Sequence, residues 1–427
     1  MILENWMKSV LLLMVLTPAI HAQTFDCGKA GTPSAIVLTR NTRYAPDAAG
    51  FDLGSVPTIR KAGCTSTKPF FFSIPEREGN YTVTVLLGGS RASLTTVRAE
   101  ARRLMLARIT VPAGATRSES FTVNVRSPVI AGTDQQVRRK PREMHSLDWD
   151  SRLTLEFAGS QPSVRSIRIR PADPATTTVY LAGDSTVVDQ DNEPWAAWGQ
   201  MLPVFFNDRV AIANDAESGE TIRSFQSERR FAKIFSTLRS GDYLLMQFAH
   251  NDQKPGKGYV PIDVYQALLR KYIAQAREKG ATPVLVTSMN RRTFDAQGHV
   301  TNTLAPYPEA MRQVAASDHV ALIDLNAMSK VLYEAVGEPN SRSLFVYAGA
   351  GAYPGQTVAL HDDTHFNEYG AYELARCVVA GIQQLSLPLA AQLRDPAFRF
   401  DPSHPDPPAS VALPPDPFFD LQTPYER

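Results

Sequence analysis

The sequence predicts a β-sandwich domain over residues 23–172 and, after it, an α/β domain with a parallel sheet over residues 177–390. Before residue 172, short alternating or β-branched segments follow one another without a strong amphipathic helix, as in sandwiches. After residue 177, apolar strand-like segments alternate with helical ones, which indicates a buried parallel sheet between layers of helices. The proline-rich stretch 171–175 separates the two patterns and marks the boundary.

Individual segments carry these two patterns. The strand candidates of the first domain are residues 81–87, 94–97, 104–111, 121–125, 153–157 and 164–169. In the second domain the strand candidates are residues 179–182, 210–213, 243–248, 283–288 and 320–325. The helical candidates between and after them are residues 195–206, 224–238, 262–279, 308–317, 327–336 and 368–385. Gly241 and Gly280 stand where helix ends are expected.

The two terminal segments differ from both domains. In residues 1–22, Lys8 precedes an apolar run at 10–16, and small residues at 19–22 suit cleavage, so we expect a signal peptide and a secreted or periplasmic protein. The apolar run is too short to span a bilayer. Residues 391–427 form a proline-rich tail without a core of its own, which we expect to lie extended over the domains.

Composition narrows the class of partner. Among 427 residues the net charge is +1, and Arg138-Arg-Lys140 is the longest basic block, so we expect no nucleic-acid or membrane partner. Cys27 and Cys64 could form a disulfide in an oxidising compartment, although sequence cannot establish the geometry. Cys377 lies in an apolar helical run and is expected to be a buried thiol. We expect a monomer.

A polar segment follows the first strand of the parallel sheet. Val179-Tyr-Leu-Ala-Gly-Asp-Ser-Thr186 places Ser185 where that strand ends, at the sheet edge where open α/β folds bind ligands. His365 is the candidate base for a Ser185 nucleophile, and Asp362, three positions earlier on a predicted turn, can accept a hydrogen bond from the nearer ring N–H. The three side chains would form a catalytic triad.

Two other interpretations of residues 360–367 remain open. His365 could merely cap the following helix in a polar loop. Alternatively, a metal site could be built from a dense set of ligand-type side chains: His361, Asp362, Asp363 and His365, together with His250 and Asp252. Because His250 and Asp252 would also have to face inward, we expect no metal.

Two more strand ends supply hydrogen-bond donors. Gly219 follows the strand at 210–213, and Asn251 follows the strand at 243–248. The Ser185 and Gly219 backbone N–H groups and the Asn251 amide can form an oxyanion hole, which acyl transfer requires.

Together these four blocks resemble the GDSL-type (SGNH) hydrolases: Gly183-Asp-Ser185, Gly219, Asn251 and Asp362-Asp-Thr-His365. Longer segments resemble the rhamnogalacturonan acetylesterase branch, among them Trp198-Gly-Gln-Met-Leu202, His250-Asn-Asp-Gln253 and Thr364-His-Phe366. Ala249 departs from the glycine usual in that branch, and we expect it to narrow the space beside the oxyanion hole. The first domain resembles, more loosely, a galactose-binding-like domain.

The resemblance implies a flavodoxin-like three-layer α/β/α fold and an esterase that needs no cofactor. Its substrate would be an acetylated polysaccharide or oligosaccharide, foremost rhamnogalacturonan of pectin. The alternatives are another acetylated polysaccharide such as xylan, a general short-chain acyl ester or lipid, and a carbohydrate-binding protein with an inactive hydrolase half. Four aromatic side chains could stack on sugar rings or pack internally: Trp195, Trp198, Tyr259 and Tyr353. No specific substrate-binding residue is predicted. For the first domain we favour a packing partner over a glycan-binding module.

Overall fold

The computed structural model describes residues 22–28, 31, 33–422 and 424. The predicted signal peptide therefore lies, except for Ala22, outside the described residues.

The first domain consists of two largely antiparallel sheets around one apolar core. The strands are β1 (Gln23–Cys27), β2 (Ile36–Leu38), β3 (Gly50–Asp52), β4 (Thr58–Arg60), β5 (Gly63–Thr65), β6 (Phe70–Pro75), β7 (Gly79–Leu87), β8 (Ser93–Ala99), β9 (Arg103–Val111), β10 (Arg117–Val125), β11 (Arg152–Ala158) and β12 (Ser163–Pro171). One sheet has the order β10-β7-β12-β1-β2; in addition, β5 pairs with β12, and β4 pairs with β5. The other sheet has the order β3-β6-β11-β8-β9. Val83, Val85 and Leu87 alternate inward along β7, which is the period of two expected for a strand with one buried face.

Cys27 and Cys64 form a disulfide that joins β1 to β5. Both residues are buried in the core of the first domain. The third cysteine, Cys377, is a buried free thiol, as predicted.

We expect loss of this disulfide to destabilise the first domain by about 2–4 kcal/mol, because the bond restricts the unfolded chain across 37 residues. Urea unfolding with and without reductant measures the effect. The Cys27→Ala/Cys64→Ala variant is the control, since reductant should not shift its midpoint. Equal midpoints for the wild-type protein in both conditions would contradict the expectation.

The second domain contains a five-stranded parallel sheet of β13 (Thr177–Ala182), β14 (Val210–Asn214), β15 (Tyr243–Met246), β16 (Thr282–Val286) and β17 (Ala321–Ile323). The strand order in this sheet is β14-β13-β15-β16-β17. An antiparallel pair follows, formed by β18 (Phe345–Ala348) and β19 (Leu360–Phe366). The order is that of flavodoxin-like sheets, in which the chain reverses direction beside the first strand. Ser185 follows that strand.

Helices cover both faces of this sheet. They are α1 (Trp198–Met201), α2 (Ile222–Ser227), α3 (Arg230–Thr237), α4 (Ile262–Glu278), α5 (Tyr307–Ser317), α6 (Leu325–Val336) and α7 (Glu368–Gln384). Val179 and Leu181 of β13 face one apolar core, whereas Tyr180 and Ala182 face the other. The helices α1, α6 and α7 pack on the first side and α2 to α5 on the second, so the predicted three-layer α/β/α architecture is confirmed.

Two predicted helices are shorter than expected. The stretch 195–206 is helical only from Trp198, where α1 continues into a 3-10 turn, because residues 195–197 run extended beside β19. The stretch 224–238 is two helices, because Arg229 adopts a left-handed conformation (φ 65°) that interrupts α2 and α3.

Buried ion pairs join the two domains. Arg102 and Arg98 of the first domain both reach Glu368 at the start of α7, at 2.9 and 3.1 Å. Arg103 pairs with Asp189, in the loop that follows Ser185, at 3.0 Å. All three arginine side chains are almost fully buried. Arg98 and Arg103 also pair with Glu156 and Asp148 of the first domain, so separation of the domains would remove part of the compensation of these buried charges.

The described part of the C-terminal segment packs on both domains. Leu389 and Leu393 are buried in the core beneath α7, and Phe398 and Phe400 are half-buried against it. Phe418 contacts Phe71 of the first domain. Of the helices that the described residues form, none is long and apolar enough to cross a membrane.

Candidate active site

Ser185 lies in a tight turn directly after β13. Gly183 allows this turn, since a Cβ there would lie 2.6 Å from the Val187 side chain and 3.0 Å from the Gln247 carbonyl oxygen. The Asp184 carboxylate then accepts hydrogen bonds from the N–H and the hydroxyl of Thr186, at 2.9 and 2.7 Å. These contacts fix the backbone on both sides of Ser185, which is itself 4% exposed.

The structure brings Ser185, His365 and Asp362 together. The Ser185 hydroxyl lies 2.9 Å from His365 Nε2, and His365 Nδ1 lies 2.8 Å from Asp362 Oδ2. Because a carboxylate only accepts, Nδ1 carries a proton and donates a hydrogen bond to Asp362. This tautomer leaves Nε2 able to accept the serine proton.

Asp362 and His365 belong to β19 and not to the predicted turn. The pairing of β19 with β18 is irregular: Asp362 lies opposite Val346, whereas Phe366 lies opposite Phe345. The intervening residues bulge, and one Asp362 oxygen accepts the backbone N–H of both Thr364 and His365, at 2.7 and 2.8 Å. The other oxygen is thereby directed at the imidazole.

The surroundings favour the ionised form of Asp362. Burial alone would raise the pKa of this carboxyl, but the His365 ring and the backbone N–H groups of Thr364 and His365 outweigh it and lower the pKa below its ordinary value. A charged Asp362 can stabilise a protonated His365 during proton transfer.

The predicted oxyanion donors follow three adjacent strands. Gly219 follows β14 in a turn with φ +79°, a conformation that favours glycine. Among the described residues, no group accepts a hydrogen bond from the backbone N–H of Gly219 or of Ser185.

Asn251 joins the loop after β15 to the Gly219 loop. Its Nδ2 donates to the Glu220 carbonyl oxygen at 3.0 Å, and its Oδ1 accepts from Lys254 Nζ at 2.8 Å. With Lys254 on the oxygen, the NH₂ group faces the Gly219 loop.

Two side chains of the alternative metal site, Asp363 and His361, have other partners. Asp363 pairs with Arg292 at 3.2 Å and accepts a hydrogen bond from the Tyr347 hydroxyl at 2.5 Å. The His361 ring stacks on the same Tyr347. Within the described part of the chain, no group of three or more His, Cys, Asp or Glu residues is arranged to hold a metal ion.

The tryptophans do not offer faces for sugar stacking. Trp195 and Trp198 are each 1% exposed. Trp195 contacts the His365 ring edge-on at 5.8 Å, and Trp198 donates its indole N–H to Gln247. Trp198 belongs to an apolar core of the second domain, and the indole N–H of Trp195 donates to the Asp420 carbonyl oxygen at 2.8 Å. Of the other two predicted aromatics, Tyr259 is 45% exposed and Tyr353 is partly exposed.

One prediction and two residues that were not predicted concern the surroundings of the site. Ala249, expected to narrow the oxyanion hole, instead places its side chain in the apolar core behind the sheet edge. Two supporting residues were missed: Gln190, whose amide donates to the Ser185 carbonyl at 3.0 Å, and Lys254. Lys254 could have been found from the sequence, since it lies three positions after Asn251 within one turn.

Together, the doubly wound sheet and the polar site at its carboxyl edge define a three-layer α/β/α hydrolase. Residues 181–371 match the model of the GDSL-like lipase/acylhydrolase family. The chain is 45% identical over 217 residues to rhamnogalacturonan acetylesterase RhgT of Bacillus subtilis, covering 50% of this chain and 93% of the relative. It is 35% identical over 219 residues to the probable rhamnogalacturonan acetylesterase YesY of the same organism, covering 50% and 96%.

A solved structure, that of protein YXIM from Bacillus subtilis, is 23% identical with a TM-score of 0.47, covering 86% of this chain and 99% of that chain. The chain belongs to the GDSL-like lipase/acylhydrolase family, in its rhamnogalacturonan acetylesterase-like branch, and is a carboxylic-ester hydrolase. The predicted family resemblance is confirmed.

Proposed function

We propose that this protein removes O-acetyl groups from a plant cell-wall polysaccharide, foremost rhamnogalacturonan. The hydrogen-bonded series of Ser185, His365 and Asp362 carries the proposal, because it contains the parts that acyl transfer needs. The substrate follows from the names of the relatives at 45% and 35% identity.

In the proposed reaction, Ser185 Oγ attacks the acetyl carbonyl carbon while His365 Nε2 takes the hydroxyl proton. The resulting oxyanion is held by the Ser185 and Gly219 N–H groups and the Asn251 amide. The C–O bond to the sugar breaks as His365 returns the proton to the departing sugar oxygen. Water then attacks the acetyl-serine with His365 again as base, which releases acetate and restores Ser185.

We expect Asn251→Ala to lower kcat by about 10²–10³, because the variant removes one oxyanion donor. The KM should change far less, since the carbonyl oxygen becomes negatively charged only as the reaction proceeds. Initial rates on p-nitrophenyl acetate measure both constants. Asn41→Ala, an exposed asparagine of the first domain, is the control; similar kcat values for the two variants would exclude Asn251 from the oxyanion hole.

Acetate release from a panel of acetylated rhamnogalacturonan, xylan and mannan tests the substrate. Highest kcat/KM on rhamnogalacturonan supports the proposal, and a preference for xylan or mannan reassigns the polysaccharide. Activity that rises with acyl chain length on p-nitrophenyl esters would instead favour a lipase-like substrate. Glycan binding without hydrolysis would indicate an inactive binding protein.

We further propose that the protein is exported. The residues at 1–22 have the composition of a signal peptide, and the Cys27–Cys64 disulfide suits an oxidising compartment. A polymer outside the cytoplasm is then accessible. Fractionation of the producing cells tests this, and recovery of the protein only from the cytoplasm would contradict it.

A further inference from the structure

The turn that carries Gly219, residues 217–220, contains two buried carboxylates. Glu217 and Glu220 are 2% and 0% exposed. The turn is tied to the sheet edge at both ends: Glu217 N–H donates to the Gly183 carbonyl at 3.1 Å, and Asn251 Nδ2 donates to the Glu220 carbonyl. Buried carboxylates on either side of Gly219 require compensating charge.

That charge comes from the first domain. Lys140 and Arg142 lie in the connection between β10 and β11. Lys140 Nζ lies 2.5 Å from Glu220 Oε1 and also donates to the Ser218 carbonyl oxygen. The Arg142 guanidinium donates through Nε to Glu217 Oε1 at 2.7 Å and forms a second hydrogen bond with the same oxygen.

Lys140 also lies directly beside the glycine. Its Nζ is 3.5 Å from the position that a Cβ on Gly219 would occupy. The two cations thus contact three of the four residues of the Gly219 turn and approach the fourth.

The cationic segment is itself held in place. Glu143 accepts the Lys140 backbone N–H at 2.7 Å and pairs with Arg230 of α3 through two hydrogen bonds of 2.9 and 2.6 Å. The Ser146 hydroxyl donates to Asp191, six residues after Ser185, at 2.6 Å. We call residues 138–146 the brace, because they contact the Gly219 turn, α3 and the loop after Ser185.

The pKa of Glu217 reflects both its burial and its contact with Arg142. Burial raises the pKa of Glu217 to about 7, and the Arg142 charge acts in the opposite direction. Without Arg142 the pKa of Glu217 would rise further, and its side chain would lose two hydrogen bonds to the brace, so the neighbouring Ser218 and Gly219 would be held less firmly.

We propose that Lys140 and Arg142 are positioning residues that hold the Gly219 N–H in place for oxyanion binding. The inference rests on the proposed esterase function. The brace lies outside residues 181–371, which match the family model, so the first domain contributes to a catalytic element of the second. A displacement of about 1 Å in a reacting geometry can cost about 10²-fold in rate.

Kinetics of full-length Arg142→Met and Lys140→Met on p-nitrophenyl acetate test the proposal. We expect kcat to fall by about 10-fold or more, with KM within about 2-fold, because the lost interaction acts on the transition state. Arg142→Lys should recover part of kcat. The matched control is Arg152→Met, which removes an arginine paired with Asp150 and Asp52 within the first domain and should keep wild-type kcat.

The double variant Glu217→Gln/Arg142→Met separates positioning from simple stability. The amide of the double variant carries no charge at any pH, so we expect its kcat to exceed that of Arg142→Met at alkaline pH, where Glu217 of the single variant ionises without a partner; a value no higher there would contradict the proposal. Thermal unfolding measurements identify variants that fail to fold. If Arg142→Met does not fold, the kcat of Arg142→Lys is compared with that of Arg152→Met instead. If the wild-type protein hydrolyses the ester and folded Arg142→Met and Lys140→Met match Arg152→Met in kcat, the proposal is overturned. An inactive wild-type protein would instead refute the proposed function.

Discussion

Replacement of Ser185 by alanine is expected to lower kcat on acetyl esters by about 10⁴- to 10⁶-fold. The hydroxyl at 2.9 Å from His365 Nε2 is the only atom of the relay positioned to form the acyl bond in the proposed reaction. Without it, hydrolysis would depend on direct attack by water in the same site. Acetate release from acetylated rhamnogalacturonan, followed with equal amounts of folded protein, measures the loss.

Ser240→Ala is the control for this experiment. Ser240 is exposed and precedes β15, at the opposite edge of the sheet from the active site. We expect it to retain the wild-type rate and the wild-type unfolding midpoint. Comparable rates for Ser185→Ala and Ser240→Ala would remove Ser185 from the mechanism.

The second large effect is expected for Asp362→Asn, at about 10⁴-fold in kcat. Asparagine has the same shape, but its amide can donate to Nδ1 and thereby favour the imidazole tautomer with the proton on Nε2. That tautomer cannot take the Ser185 proton. The ionised state of Asp362, whose pKa is lowered, would also no longer stabilise the imidazolium.

Asp363→Asn provides a control with the same chemical change one residue away. Asp363 pairs with Arg292 and Tyr347 and makes no described contact with the His365 ring. Its kcat should stay within a few-fold of wild type. If both variants lost activity equally, the effect would be a distortion of β19 and not a change in tautomer.

The sequence predicted the convergence of the site because its parts follow strand ends. Ser185, Gly219 and Asn251 succeed β13, β14 and β15, which are adjacent in the sheet, and periodicity alone located those strands. His365 was predicted as the base because Asp362 lies three positions before it in the sequence. The sheet order then places the loops at one edge, so the prediction needed no knowledge of tertiary packing.

Tertiary contacts produced the features that were not predicted. The bulge in β19 depends on pairing with β18, and the burial of Trp195 depends on the C-terminal segment, whose Asp420 carbonyl accepts the indole N–H. The contacts of Lys140 and Arg142 with the Gly219 turn join residues more than 70 positions apart. No local pattern encodes such pairs, since each depends on how the domains dock.

The most direct test of the Ser185 mechanism is labelling by a serine-directed organophosphate, followed by mass analysis of the peptides. We predict one phosphorylated residue, Ser185, with a rate of labelling that drops sharply in His365→Ala because the base is absent. Labelling at another serine, or no labelling of an enzyme that hydrolyses acetyl esters, would contradict the account.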